Sequence, residues 1–308
     1  MFRHTPIRQK RACAGLPYFF SPHAYQTVYK SARPKGSSDK ESERMSHSEN
    51  TPEHLTSVSV DPAEMESFSR MAADWWDPTG PFKPLHIMNG ARLNFIKETV
   101  CEHFGLDPHI EKPLAGLRVL DIGCGGGLLC EPMVRLGASV TGVDALERNL
   151  KTAKTHAEQM GLEVDYRHGT IEQMVENGEA TFDVVLNMEV IEHVANPAKF
   201  MADCAAMVKT PSGNKAGGIM MCSTINRTLK AFAFAIVGAE YVLRWLPRGT
   251  HQYAKFVRPA ELNRWMTDAG LAVEEQIGMN LNPVTNVWTT SGDKSINYVT
   301  VGIKKRLS

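Results

Sequence analysis

The chain has no excess of charge of either sign, because its 308 residues contain 34 Lys plus Arg and 34 Asp plus Glu. A nucleic-acid-binding protein needs a basic surface that attracts phosphates, and this balance provides none. The hydrophobic content of 43% is ordinary for a soluble globular chain. The composition therefore predicts a folded protein, of one large or two small domains, without a nucleic-acid partner.

Acidic residues are missing from residues 1–38, where seven Lys and Arg lie among Ser, Ala, Tyr and Phe. A secretory signal would need an apolar core of about 7 to 15 residues, and this segment has none. The composition is typical of a mitochondrial transit peptide, and a disordered basic tail is the alternative. Residues 39–60, rich in Ser and Glu, are then a linker to the folded part, residues 61–308.

The six cysteines include no C-x-x-C pair, and no histidine lies at a spacing typical of a zinc site. In a chain without a secretory signal they are predicted to be buried free thiols in a reducing compartment. Cys124 lies inside a glycine-rich turn. Its small side chain suits that turn, so we interpret it as a packing residue and not as a nucleophile.

No uninterrupted apolar run has the roughly 20 residues needed to cross a bilayer. The most apolar segment, residues 228–250, is interrupted by Glu240 and Arg244, and Lys230 and Arg248 flank its aromatic residues. Two interpretations stay open. The segment is either a helix lying on a membrane surface, or covering an apolar substrate, or else a buried core helix.

Strand and helix patterns alternate along most of the folded part, which predicts a parallel sheet with helices on both faces. An amphipathic helix begins at Asp61 and Pro62, and a second one runs from Arg92 to Phe104. Two strands without an intervening helix close the chain, so the last is expected to be antiparallel. The strands are predicted at 117–122, 139–143, 163–167, 182–187, 218–224, 271–278 and 296–304, and the later helices at 127–136, 146–160, 190–208 and 259–269.

The run from Val119 to Gly127 is a short apolar strand followed by glycines, which let bare backbone approach a nucleotide. A dinucleotide fingerprint would need a further glycine at Leu128, so a nicotinamide dehydrogenase is disfavoured. Asp144 ends the next strand, where an acid would bind ribose hydroxyls. Asp121 would repel phosphates and attract a cation. The pattern therefore favours S-adenosylmethionine, whose sulfonium and ammonium groups are positive.

A second cluster follows the strand at 182–187. Glu189, Glu192 and His193 are spaced i, i+3 and i+4, so on the helix predicted at 190–208 they would share one face. Parallel strands end at one edge of a sheet, so this face would meet the crevice of Gly123 and Asp144. Two carboxylates and an imidazole could bind Mg²⁺. Acidic residues also stabilise a helix N-terminus without any metal, and that alternative stays open.

The glycine run and Asp144 resemble the cofactor motifs of class I S-adenosylmethionine-dependent methyltransferases. More specifically, seven segments resemble the ubiquinone-biosynthesis O-methyltransferases, a resemblance that covers about residues 61–304. These segments are Trp75 to Asp77, Phe82 to His86, Glu189 to Val194, Ser223 to Arg227, Val237 to Tyr241, Pro247 to His251, and Asn282 with Pro283. The resemblance implies a Rossmann-like, mostly parallel sheet of seven strands with the last antiparallel.

The resemblance also implies an activity, which is methylation of polyprenylated catechol-type intermediates at two steps of ubiquinone synthesis. Carried over by position, the cofactor would contact Gly123, Asp144, Met188 and Arg92, and the residue pattern adds Asp121 and Gly125. Mg²⁺ would be bound by Glu189, Glu192 and His193, as in mitochondrial members of the family. Of these, His193 and Glu192 are the candidate catalytic residues.

A mitochondrial member would work in the matrix, bound peripherally to the inner membrane, with a biosynthetic complex as its expected partner. Two alternatives remain, a methyltransferase for another small molecule or protein, and a scaffold component with little turnover. One departure from the family is an insertion at residues 210–217, before the fifth strand, where relatives have a compact K-P-G-G turn.

Overall fold

The computed structural model describes residues 62–233, 252–282, 285 and 287–306. The predicted transit peptide and linker, and most of the apolar insert, lie outside the described residues. The helices of the described part are α1 Pro62–Met71, α2 Lys83–Phe104, α3 Cys130–Arg135, α4 Glu147–Gln159, α5 Ile171–Glu176, α6 Pro197–Ala206, α7 Leu229–Ala231 and α8 Pro259–Asp268. The strands are β1 Arg118–Ile122, β2 Ser139–Asp144, β3 Asp165–His168, β4 Val184–Met188, β5 Ile219–Ile225, β6 Leu271–Asn282, β7 Val287–Ser291 and β8 Asn297–Lys304.

The strands form one mixed sheet in the order β3-β2-β1-β4-β5-β8-β6-β7. The five strands from β3 to β5 are parallel, whereas β8 runs antiparallel to both β5 and β6. The strand order reverses between β1 and β4. In an open α/β sheet, ligands bind at the carboxyl ends of the strands beside such a reversal.

The predicted fold class is confirmed, with one strand more than the seven expected. Strand β6 continues past residue 278, where the prediction ended it, and β7 pairs with this extension in antiparallel register from Gly278↔Ser291 to Asn282↔Val287. Most residues of β7 are exposed or half-buried. Its Val, Trp and Thr residues favour a strand, but a solvated hairpin needs no apolar face, so the segment lacks the alternation of apolar and polar residues that would predict one.

Side chains of alternating residues pack on the two faces of the sheet. Val119 in β1 belongs to a core that includes Leu93 and Ile96 of α2, whereas the next residue, Leu120, belongs to a second core with Phe200 of α6 and Leu262 of α8. Residues Val119 to Ile122 are all buried, as expected for a central parallel strand covered on both faces. The five cysteines of the described part are buried and free, as predicted.

The helix predicted at 190–208 is wrong in its first part. A 3₁₀ turn spans Ile191–His193, and α6 begins only at Pro197. Asn196 caps α6 by accepting a hydrogen bond from the backbone N–H of Lys199 at 3.1 Å. Asn followed by Pro is a strong helix start, so the chain begins its helix there and leaves Glu189 outside any helix.

The insertion at 210–217 folds into a small turn at the amino end of β5. Lys215 N–H bonds to the carbonyl of Ser212 at 2.9 Å, and Arg306 Nη2 donates to the carbonyl of Gly213 at 2.8 Å. Because β5 begins at Ile219, this turn lies at the sheet edge opposite the carboxyl ends of the parallel strands. The insertion therefore does not line the candidate active site. Among the described helices, none combines the length and apolarity needed to span a membrane.

Candidate active site

The glycine turn after β1 has a left-handed backbone at Gly123 and Gly125, with φ of 66° and 54°. The backbone N–H of Gly123 bonds to the carbonyl of Val143 at the end of β2, at 2.8 Å. A Cβ added at Gly123 would lie 2.6 Å from the Val190 Cγ2 atom. Any other residue would strain the backbone and displace Val190, which explains why position 123 is a glycine. The same contact shows that the loop after β4 packs against the glycine turn.

Asp144 ends β2 with a buried carboxylate beside this turn. Its Oδ2 accepts a hydrogen bond from Gly125 N at 2.9 Å. Its Oδ1 accepts from Leu146 N at 2.8 Å and from Asn149 Nδ2 at 3.2 Å. Burial raises the pKa of Asp144, and these hydrogen bonds oppose that shift. The acid predicted to bind ribose is thus fixed next to the glycines, although its role toward the cofactor stays a prediction.

Asp121 lies beneath the turn and is 4% exposed. Cys130 Sγ donates to its Oδ2 at 3.3 Å. Burial raises the pKa of Asp121 to about 6, and the positive charge of Arg92 partly opposes this. The pKa of the Cys124 thiol is raised to about 11 by burial, so the thiol stays protonated near neutral pH, as a packing role requires.

Arg92 connects α2 to the same region. Its Nη2 donates to Asn89 Oδ1 at 2.8 Å, and Asn89 Nδ2 donates to the carbonyl of Leu128 at 2.9 Å. Both polar side chains are buried. Since α2 begins at Lys83 and not at the predicted Arg92, this pair lies inside a long helix that braces the chain just after the glycine turn.

Trp75 is a part of the site that sequence reasoning missed, because the tryptophan pair served only as a family marker. A Cβ added at Gly125 or Gly126 would collide with the Trp75 indole, so the ring lies directly on the turn. Trp75 Nε1 donates to Asn149 Oδ1 at 2.9 Å, and the indole stacks on Phe82 with ring centroids 3.7 Å apart. The segment between α1 and α2 therefore covers the glycines and reaches Asp144 through Asn149.

Met188, predicted to contact the cofactor, is buried at the end of β4, and β4 pairs with β1. The next residue, Glu189, has a φ of 59°, the only positive φ of a non-glycine residue in the described part. A left-handed conformation costs an ordinary residue roughly 1 kcal/mol or more. Side-chain bonds hold Glu189 in place: Oε1 accepts from Ser223 Oγ at 2.7 Å, and Oε2 accepts from Asn297 Nδ2 at 3.2 Å.

Glu192 is buried beside Glu189. Its Oε2 accepts a hydrogen bond from Thr224 Oγ1 at 2.8 Å. Burial, and then the negative charge of Glu189, raise the pKa of Glu192 well above its usual range. The pair is therefore a site that can accept a cation or exchange a proton.

His193 does not lie on a common helix face with the two acids, as the spacing had predicted, because Glu189 precedes the 3₁₀ turn. Its ring meets Phe68 of α1 edge to face, with centroids 5.2 Å apart. Within the described residues, no group of three His, Cys, Asp or Glu side chains is arranged to hold a metal ion. The structure thus brings Glu189 and Glu192 together as two oxygen ligands suited to Mg²⁺, without completing a three-residue site.

Comparison with known proteins gives a consistent result. A family model described as a methyltransferase domain matches residues 93–276. The ubiquinone biosynthesis O-methyltransferase of Maricaulis maris is 55% identical over 253 residues, which are 82% of this chain and 96% of that protein. The enzyme of the same name from Parvibaculum lavamentivorans is 54% identical over 248 residues, covering 80% and 95%.

Solved structures resemble the chain in fold. An S-adenosylmethionine-dependent methyltransferase from Thermotoga maritima superposes with a TM-score of 0.51 at 18% identity, covering 78% of this chain and 99% of its own. At that identity the likeness concerns architecture alone. The glycine turn without side chains, the buried Asp121 and the fixed Asp144 fit a cationic nucleoside cofactor of the kind such folds bind.

Proposed function

The chain belongs to the ubiquinone biosynthesis O-methyltransferases, which are S-adenosylmethionine-dependent enzymes, and on this premise we propose that its acceptor is a polyprenylated catechol. The two proposed substrates are a dihydroxy-polyprenylbenzoate and a demethylubiquinol. The observation that carries the proposal is the acidic pair after β4, in which Glu189 is half-buried and Glu192 is buried. It stands beside the glycine turn, where Val190 contacts Gly123, and offers oxygen ligands or a proton acceptor to a catechol.

The cofactor, when bound, supplies a methyl group that its sulfonium charge has already activated. The protein must then orient a phenolic oxygen toward that methyl group and remove the phenolic proton, which in water has a pKa of about 10. Asp144 and the glycine turn orient the cofactor. The carboxylates of Glu189 and Glu192 act on the catechol, and hydrogen bonds from Ser223 and Thr224 hold them in place.

Mg²⁺ is proposed as a second cofactor, bound by Glu189 and Glu192. The family resemblance adds His193 as a third ligand, which would have to turn toward the two acids to reach the ion. Held by these residues, the ion would supply a Lewis acid that stabilises the phenolate form of the catechol. The support is chemical, since carboxylate oxygens are the ligands that Mg²⁺ prefers and the two acids are already adjacent. The alternative is that His193 acts as a general base without metal.

Activity of Glu192→Ala with and without added Mg²⁺ separates these two mechanisms. The metal mechanism predicts that the variant loses both the rate and the response to Mg²⁺. A variant that keeps wild-type activity and metal response contradicts it. His193→Gln is the matched variant, because the base mechanism predicts a large loss at His193 that Mg²⁺ does not restore.

The substrate class is tested on catechols that carry prenyl tails of graded length, each assayed with and without chelator. A lipid-specific enzyme loses kcat/KM as the tail is shortened, because apolar binding energy is removed with each methylene group. Equal rates on short and long tails would contradict the proposal and favour a methyltransferase for another small molecule.

The proposal also covers the location of the protein and its partners. We propose that residues 1–38 direct the chain to the mitochondrial matrix, on the basis of seven basic and no acidic residues. The apolar insert, residues 228–250, is proposed to attach the enzyme peripherally to the inner membrane, near a biosynthetic complex. Import of the full chain into isolated mitochondria, compared with a chain lacking residues 1–38, tests the first step.

A further inference from the structure

We propose that Trp76, His156 and Glu131 form a positioning unit, here called the Trp76 unit, which sets the affinity of the glycine turn for the cofactor and not the rate of methyl transfer. The three side chains come from the segment before α2, from α4 and from α3. The proposal rests on the cofactor class of the family and is independent of the proposed catechol substrate.

The first contact of the unit is a hydrogen bond between side chains of two helices. The carboxylate of Glu131 is fully buried, and its Oε1 lies 2.5 Å from His156 Nδ1. A buried carboxylate is costly unless it is paired. Among the described residues its Oε2 has no hydrogen-bond partner and lies 3.9 Å from the guanidinium of Arg135. His156 therefore supplies the close partner that lets Glu131 occupy this position in the helix directly after the glycine turn.

The second contact of the unit joins His156 to the indole of Trp76. The rings of His156 and Trp76 are stacked, with centroids 3.6 Å apart and planes 7° from parallel. The hydrogen bond to Glu131 fixes the orientation of the imidazole ring, and the stacked indole lies parallel to it. Glu131 thus fixes His156 and, through it, the plane of Trp76.

The third contact joins Trp76 to the glycine turn of the candidate cofactor site. Trp76 Nε1 donates a hydrogen bond to the carbonyl of Gly126 at 2.9 Å. Gly126 follows Gly125, whose N–H binds Asp144 Oδ2. Trp75 lies on the same glycines. The two neighbouring indoles therefore both contact the turn, and the Trp76 bond orients the peptide plane between Gly126 and Gly127.

The arrangement is more specific than packing requires. The His156 side chain is 17% exposed and contacts both the carboxylate of Glu131 and the ring of Trp76. An apolar residue would cover the Trp76 ring equally well, yet it could not pair with Glu131. The geometry points to a role in holding the turn in its binding conformation before the cofactor arrives, which lowers the cost of binding.

The test uses the purified full chain and measures S-adenosylhomocysteine binding by calorimetry, without any methyl acceptor. Trp76→Phe retains a stacked ring and removes the N–H, so the dissociation constant is expected to rise between roughly threefold and tenfold. Glu131→Gln keeps the shape of the side chain and removes the charge, and a similar rise is expected. The control is Trp265→Phe in α8, which packs on the second core and should bind normally.

The kinetic arm uses saturating S-adenosylmethionine. The proposal expects kcat within about twofold of the wild type and an increase in KM for the cofactor that matches the binding constant. Unchanged cofactor binding in a folded Trp76→Phe variant overturns it, and so does a fall in kcat without a change in binding. If Glu131→Gln fails to fold, Trp76→Phe decides, because that change leaves the contact between Glu131 and His156 intact. Failure of the catechol proposal would leave these binding results unaffected.

Discussion

Ser223 holds Glu189 twice across neighbouring strands: its backbone carbonyl accepts the Glu189 N–H at 3.0 Å, and its hydroxyl donates to Glu189 Oε1 at 2.7 Å. Strand β5 therefore fixes both the main chain and the side chain of an acid that has a left-handed backbone. Such local strain is retained where the surrounding structure determines it, and it clusters at active sites.

The Ser223 hydroxyl is expected to matter for the acceptor side of the reaction only. Ser223→Ala frees one oxygen of Glu189, so kcat should fall about tenfold, the effect of a misdirected active-site group, while KM for the cofactor stays unchanged. Steady-state kinetics at varied cofactor concentration measures both. Ser212→Ala, in the exposed insertion, is the control and should behave as wild type. A rise in the cofactor KM alone would contradict the assignment.

Replacing Glu189 by glycine should separate stability from activity. Glycine adopts φ of 59° without strain, and the change also removes a negative charge beside buried Glu192. We expect the free energy of unfolding to rise by about 1 kcal/mol, and methyl transfer to fall at least a hundredfold. Thermal unfolding and turnover of the same preparation test this. Loss of stability would show that the bonds from Ser223 and Asn297 outweigh the strain.

The sequence was sufficient for the α/β fold because its central strands are short, buried and apolar, and are separated by capped helices. The turn at Gly123 could also be predicted, because several glycines directly after a strand indicate a tight turn with positive φ. In these places local preference and tertiary structure agree.

Sequence reasoning failed where distant contacts decide. Glu189 and Glu192 were predicted to meet through helical spacing, yet they meet through bonds to Ser223, Thr224 and Asn297, which come from β5 and β8. No periodicity records such pairings. The position of Trp75 on the glycines is likewise set by a fold-level contact across 50 residues, although its neighbour Trp76 signalled the family.

Two glycine-to-alanine changes should have opposite effects. At Gly123 a new methyl group would lie 2.6 Å from Val190, and alanine would be strained by the left-handed backbone. We therefore expect Gly123→Ala to lower the free energy of unfolding by about 2 kcal/mol and to abolish cofactor binding. At Gly90, inside α2, nothing lies within 4 Å of the added Cβ. Gly90→Ala should therefore stabilise the protein by up to about 1 kcal/mol. Similar effects at the two sites would contradict the account of the turn.

The buried carboxyl of Asp121 should make stability depend on pH. Its pKa is about 6 in the folded protein and near 3.8 when unfolded, because burial disfavours the charged form. Between these values the folded state binds more protons than the unfolded state. Stability should therefore fall as pH rises from about 4 to about 6, by up to roughly 3 kcal/mol.

Asp121→Asn removes this titration and isolates it from those of other buried acids. The free energy of unfolding of the variant, relative to the wild type, should rise across the same pH interval and then become constant above about pH 7. Chemical denaturation at several pH values measures the difference. A bound cationic cofactor favours the charged form of Asp121, so its presence should reduce the pH-dependent difference. A difference that does not change with pH would show that Asp121 is already charged throughout, and that Arg92 compensates its burial.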